Sequence, residues 1–118
     1  MRGIRSFTKN KFSAKRCEYD GYKFDSLKEM GRYKELKLLE NAGKINGLRL
    51  KPIFKFTHNK IYIGKYTPDF QYWEGKRNCD LNLVVEDVKG YKKGPSYTWF
   101  RRQCKMMLAF FNITVREI

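Results

Sequence analysis

The chain has few acidic residues, a single histidine and no long apolar run. Twelve Asp and Glu stand against 26 Lys and Arg, a formal net charge of +14 over 118 residues. With only His58 available, a hydrolase built on a catalytic histidine has one candidate. That residue falls in a turn-like His58-Asn59-Lys60 segment, which suits a surface side chain better than a base. Cys17, Cys79 and Cys104 are odd in number and far apart. This spacing argues against a disulfide framework and against a zinc knuckle, which needs close Cys or His pairs. It fits a reducing, cytoplasmic compartment. No apolar stretch reaches spanning length, and no lipidation motif or signal-peptide core is visible. No membrane partner is therefore expected.

What is present is a folding chain with a strong positive field. A hydrophobic fraction of 42% and an aromatic fraction of 16% exceed what disordered chains carry. The length suits one domain. An excess of cations attracts polyanions, and nucleic acid is the expected partner because neutralised phosphates release their counterions. The basic residues are spread along the chain rather than gathered on one amphipathic helix, which disfavours a membrane surface.

Residues 1–23 are basic and aromatic without clear periodicity, and are expected to form an N-terminal arm ahead of a single domain over 24–118. Arg2, Arg5, Lys9, Lys11, Lys15 and Arg16 are its candidate DNA contacts. From Ser26 to about Asn41, apolar residues recur at helical spacing, and Gly43 is a stop signal. Leu48 to Thr57 and Ile61 to Trp73 have strand character, with Pro52 suggesting an edge or a bulge. Leu81 to Val88 is nearly continuous in apolar residues, as in a strand buried on both faces. A Gly/Lys loop spans Gly90 to Pro95, a second helix Ser96 to Phe111, and a last strand Ile113 to Ile118. The expected fold is α+β, ordered α-β-β-β-α-β, with a mixed central sheet flanked by helices.

Two stretches carry the candidate chemistry: Tyr66-Thr67-Pro68-Asp69-Phe70 and Val84-Val85-Glu86-Asp87-Val88-Lys89-Gly90. Each sets a carboxylate in an otherwise apolar strand, where an unpaired charge is costly. A hairpin symmetric about Asn78 puts Asp69 opposite Asp87 and Gln71 opposite Val85. Opposed Cβ atoms lie ~5 Å apart, and like charges so placed repel unless a cation separates them. Alternation puts Lys89 on the Asp87 face and Glu86 on the other. Two carboxylates and an ammonium suit Mg²⁺, with Mn²⁺ as substitute, and metal-assisted attack of water on a phosphodiester. The plain alternative is a solvated strand end where Lys89 neutralises Asp87.

This pattern resembles the PD-(D/E)XK nuclease superfamily, in Pro68-Asp69 and, after seventeen intervening residues, Asp87-Val88-Lys89. The element order is similar to that superfamily's restriction-endonuclease-like core. Phe24-Asp25-Ser26-Leu27-Lys28-Glu29 followed by Tyr66-Thr67-Pro68-Asp69-Phe70 is similar to phage-type members. These include endonuclease I-like Holliday junction resolvases and a phage family long labelled as of unknown function. The resemblance implies a metal site of Glu29, Asp69 and Asp87 with Lys89 as catalytic partner, and a host-cell cytoplasmic location if phage-encoded. Ser26-Leu27-Lys28-Glu29 is equally a capping box, so Glu29 has a structural role open to it.

The resemblance also offers Gln103 and Lys105 of the second helix as residues approaching the site. Arg101, Arg102, Lys92 and Lys93 are further candidate DNA contacts, while the aromatic and methionine positions of that helix are read as core. The expected function is a structure-selective endonuclease on branched DNA, a homodimer if paired cuts are made. A nicking, restriction-like or end-processing nuclease is the alternative enzyme. A non-catalytic nucleic-acid-binding protein with a nuclease fold is the alternative of another class.

Overall fold

The structure, a computed structural model, describes residues 16–76 and 78–118. Its first element is a hairpin of β1 (Cys17–Tyr19) and β2 (Tyr22–Phe24), where only an unpatterned arm was expected. Asp20 and Gly21 both take positive φ, the geometry of a two-residue turn whose twist suits a hairpin. Phe24 is buried, and the Tyr33 hydroxyl donates to Asp20 Oδ2 at 2.6 Å. The boundary between arm and domain therefore lies before Cys17.

Helix α1 (Leu27–Asn41) begins and ends as expected. Ser26 Oγ accepts the Glu29 N–H at 3.0 Å. Gly43, at φ +79°, closes a Schellman turn in which Gly43 N–H reaches Glu40 O and Lys44 N–H reaches Leu39 O. Glu29, Tyr33 and Leu36 form its buried face, while Leu27 and Leu38 remain exposed.

The central sheet runs β3 (Ile45–Leu50), β6 (Phe70–Glu74), β7 (Leu83–Asp87), β8 (Arg116–Glu117). β3, β6 and β7 are antiparallel neighbours, and β8 is parallel to β7, so the sheet is mixed. A separate hairpin, β4 (Phe54–His58) with β5 (Ile61–Tyr66), turns at Asn59-Lys60. Helix α2 (Gly94–Phe111) precedes β8.

Two segments expected to be single strands are each broken in two. The first breaks at Lys51-Pro52-Ile53, the second at Thr67-Pro68-Asp69. Proline offers no N–H to a ladder, and Lys51 takes φ +54°. The breaks lie side by side, since Lys51 N–H donates to Asp69 O at 3.0 Å. The extra strands and the first hairpin replace the simpler six-element order, while the α+β class with a mixed sheet holds.

The sheet has a helix on each face. Val84, Phe70 and Tyr72 pack with Tyr33 and Leu36 of α1. Val85 packs on the other side with Phe100 and Met107 of α2 and with Phe56 and Tyr66 of the β4–β5 hairpin. Such two-sided burial explains why β7 is nearly continuous in apolar residues. Glu86 enters the α1 layer fully buried, where Arg32 grips it with two hydrogen bonds (2.8 and 2.7 Å) and Tyr72 Oη donates at 2.6 Å. That clamp fixes α1 to β7 and with it the position of Glu29.

Candidate functional site

The β6–β7 register pairs Gln71 with Val85 and Phe70 with Glu86, as the symmetric hairpin requires. The next positions outward are Asp69 and Asp87. Asp69 has left the strand geometry, and its Oδ2 accepts the Val88 N–H at 2.8 Å. That bond continues the ladder through a side chain and holds the Asp69 carboxylate against the end of β7. Asp87 is buried, with its Oδ2 accepting the Tyr66 hydroxyl at 2.5 Å and lying 3.7 Å from Lys89 Nζ. The Lys89 ammonium also sits over the Phe100 ring, 4.4 Å from its centre. Glu86 points away from all of these, into its Arg32 clamp.

Glu29 joins from α1. Its Oε1 accepts the Asp25 N–H at 2.9 Å, so it caps its helix, and its Oε2 accepts from Lys51 Nζ at 2.9 Å. Lys51 Nζ also donates to Asp69 Oδ1 at 3.0 Å. Lys28 Nζ donates to Lys89 O at 2.8 Å, tying the first turn of α1 to the strand that carries the site.

The charges share protons unequally. Burial, then the hydrogen bond and negative charge of Asp69, push Asp87 up to about 7. Glu29 is raised for the same reasons, burial first and Asp69 next. Burial works against ionising Asp69 as well. Hydrogen bonds from Asp87, Glu29 and the Val88 N–H, with the Lys51 charge, outweigh it and hold Asp69 below the usual carboxylate range. Asp69 is thus the anion at the centre, and Asp87 keeps a proton available near neutral pH.

Two adjoining clefts meet at Asp69, Asp87 and Lys89. One of about 270 Å³ is lined by Lys51, Tyr66, Trp99 and Gln103 among others. The other, about 510 Å³, reaches past Glu29 to Gly90 and Tyr91. Both are open to solvent, and the smaller is lined mainly by polar groups. Among the described residues no three His, Cys, Asp or Glu side chains form a ready metal-ligand group.

A family model described as "Protein of unknown function (DUF1064)" matches residues 9–114. The chain belongs to the DUF1064 family. No curated protein and no solved structure matches it significantly.

In this DUF1064 chain Glu29, Asp69, Asp87 and Lys89 come together, and the remaining candidates divide. Gln103 lines the smaller cleft and donates to Lys65 O at 3.2 Å. Lys105 and Arg101 face a different hollow, with Cys104, Leu108 and Glu117. Lys105 therefore does not approach the carboxylates. Lys92 pairs with Glu117 at 3.3 Å, Lys93 stands exposed at the start of α2, and Arg102 lies 6.0 Å from the Trp99 ring centre. Arg16 is exposed just ahead of β1. Arg2, Arg5, Lys9, Lys11 and Lys15 lie outside the described residues.

Three side chains at the site escaped sequence reasoning. Lys51 looked like one lysine among several in an alternating stretch, and Tyr66 like an ordinary strand aromatic. Trp99 was assigned to the core with its helix neighbours. Phe100 and Met107 are indeed buried, but Trp99 is 56% exposed and lines the cleft. The signal for Lys51 and Tyr66 was their placement beside Pro52 and just before Pro68, where strands break and side chains turn into a shared opening. No helix among the described residues is long and apolar enough to cross a membrane.

Proposed function

We propose that this DUF1064 chain is a metal-dependent DNA endonuclease that hydrolyses phosphodiester bonds, acting on branched DNA such as a four-way junction. One observation carries the reading: a buried Asp87 and a half-buried Asp69 stand side by side with Lys89 next to them, at the meeting point of two open clefts. Burying adjacent carboxylates costs stability. A divalent cation relieves the cost, and an all-oxygen donor set suits Mg²⁺ or Mn²⁺. Asp69 and Asp87 are the pair that would hold it, and Glu29 joins them on releasing Lys51. A bound Mg²⁺ supplies Lewis-acid polarisation of the phosphodiester and acidifies a water molecule.

The chain's own residues supply the rest. Lys89 stabilises negative charge that develops on the phosphate oxygens. Tyr66 fixes the Asp87 carboxyl through its 2.5 Å hydrogen bond. Asp87, raised to about 7 without a cation, would give up its proton on holding one and stay ionised beside the phosphate. In the net reaction the water oxygen bonds to phosphorus, the P–O ester bond breaks, and the leaving oxygen takes a proton. The +14 charge exceeds the needs of one site and favours binding along the DNA backbone. Binding carried mainly by contacts to the backbone favours recognition of shape over sequence. Paired cuts across a junction need two sites, hence a two-fold homodimer.

A second reading, a non-catalytic nucleic-acid-binding protein, is favoured by Lys51, whose ammonium already neutralises Glu29 and Asp69. A cleavage panel separates the two. Linear duplex, single strand, flap and four-way junction are each offered with Mg²⁺ and with EDTA. Metal-dependent cutting of the junction supports the nuclease and its selectivity, and cutting of every substrate keeps only the nuclease. Binding without cutting on all four leaves the second reading.

A further inference from the structure

We infer that the β4–β5 hairpin is a second nucleic-acid contact, a basic two-stranded ribbon lying in a groove of the duplex beside the bond presented to Asp69 and Asp87. Its place next to the cut rests on the nuclease reading, whereas its contact with DNA is tested by binding alone. From Phe54 to Tyr66 the chain carries Lys55, Lys60 and Lys65 and no Asp or Glu. Lys55 and Lys65 are direct cross-strand partners, and both are exposed. Like charges so opposed destabilise a sheet. Among the described residues no carboxylate lies within ion-pairing distance of any of the three lysines. A site that concentrates repulsion without internal compensation suits an external polyanion.

The ribbon has a fixed inner face and a free outer one. Phe56 packs against Phe110 of α2 with ring centres 5.2 Å apart, and Tyr66 is buried in the same cluster. Lys55 and Lys65 therefore face solvent. Ile61, Tyr62 and Ile63 stand among the lysines with more than half of their surfaces exposed, at 66, 58 and 53%. A major groove admits a two-stranded ribbon, where lysines meet phosphates and apolar side chains meet base methyls. The ribbon is also continuous with the site. Its last residue, Tyr66, bonds Asp87, and Gln103 holds the Lys65 carbonyl at 3.2 Å. A duplex placed for cutting at Asp87 runs past Lys65. Pairing of this face with a second copy is the weaker use of it, because three lysines from each chain would be driven together.

The test is equilibrium binding of a 20-base-pair duplex and of a four-way junction in EDTA over a salt series. Wild type is compared with K55Q/K65Q and with K34Q/K44Q, exposed lysines on and just after α1. The expected result for K55Q/K65Q is an affinity lower by on the order of ten-fold or more near 0.1 M salt. The slope of log K against log salt should also be shallower by roughly 2, at about 0.9 per lost phosphate. Its thermal midpoint should be unchanged or higher, because the opposed charges are gone. Unchanged binding, or an equal loss in K34Q/K44Q, overturns the inference, as does a change of molecular mass in place of a change in DNA affinity. Wild type that cuts DNA while K55Q/K65Q binds normally would sink the ribbon and leave the nuclease. Wild type that binds through the ribbon yet never cuts with Mg²⁺ would sink the nuclease and leave the ribbon.

Discussion

The Tyr66 hydroxyl donates to Asp87 Oδ2 at 2.5 Å, and the same carboxyl is raised to about 7. The hydrogen bond from Tyr66 and the Lys89 charge favour the ionised form, but burial and Asp69 outweigh them. Y66F removes a donor to the carboxylate, so the Asp87 pKa should climb above 7. The acid limb of the cleavage pH profile should then move to higher pH. A limb that stays in place would mean that the activity does not depend on Asp87 ionisation.

The same shift couples stability to pH. Asp87 binds its proton more tightly folded than unfolded, so its contribution favours folding at low pH. That contribution is lost as pH rises from about 4, the ordinary carboxylate value, through about 7. Metal-free D87N should therefore have a higher thermal midpoint than wild type at pH 8, with the advantage vanishing near pH 4. Mg²⁺ or Mn²⁺ should raise the wild-type midpoint at pH 8 much more than that of D87N.

Lys51 holds Glu29 and Asp69 through ion pairs of 2.9 and 3.0 Å. K51M should lower the metal-free midpoint, since the buried Glu29 and the half-buried Asp69 lose their cation. It should also tighten Mn²⁺ binding in titration calorimetry, because the ammonium no longer competes. Weaker Mn²⁺ binding in K51M would show that Lys51 organises the carboxylates instead of competing for them.

Glu29 serves its helix and the site together. E29Q keeps an oxygen for the Asp25 N–H but loses the charge facing Lys51, so the stability cost should be about 1 kcal/mol. The cleavage rate should fall far more than such a loss of folded protein explains. Equal small losses in both would leave Glu29 as a cap alone.

The Arg32–Glu86 clamp predicts the largest stability effect. R32A strands a fully buried carboxylate and should cost about 3–5 kcal/mol in urea unfolding. R32A/E86Q should recover part of that cost, because the stranded charge is gone.

Local signals made α1, α2 and the β6–β7 register legible from sequence. Ser26 and Gly43 bound the first helix, and the spacing of Asp69 and Asp87 about Asn78 sets which residues face each other. The β1–β2 hairpin also had a local signal, Asp20-Gly21 between aromatic residues, but short strands amid basic residues hid it. Lys51 could not be reached this way. Its role depends on two strand breaks, eighteen residues apart in Lys51 and Asp69, meeting through one backbone hydrogen bond. Trp99 and Phe100 are adjacent on one helix, and only the packing of α2 decides that one is exposed and the other buried.

The most direct test of the nuclease centre is a single comparison. Labelled four-way junction is incubated with wild type and with D87N, each in Mg²⁺ and in EDTA, while binding is measured in parallel. The account predicts cutting by wild type in Mg²⁺ alone, with D87N binding the junction as tightly as wild type or tighter and leaving it intact. Undiminished Mg²⁺-dependent cutting by D87N, or cutting by wild type in EDTA, would contradict it.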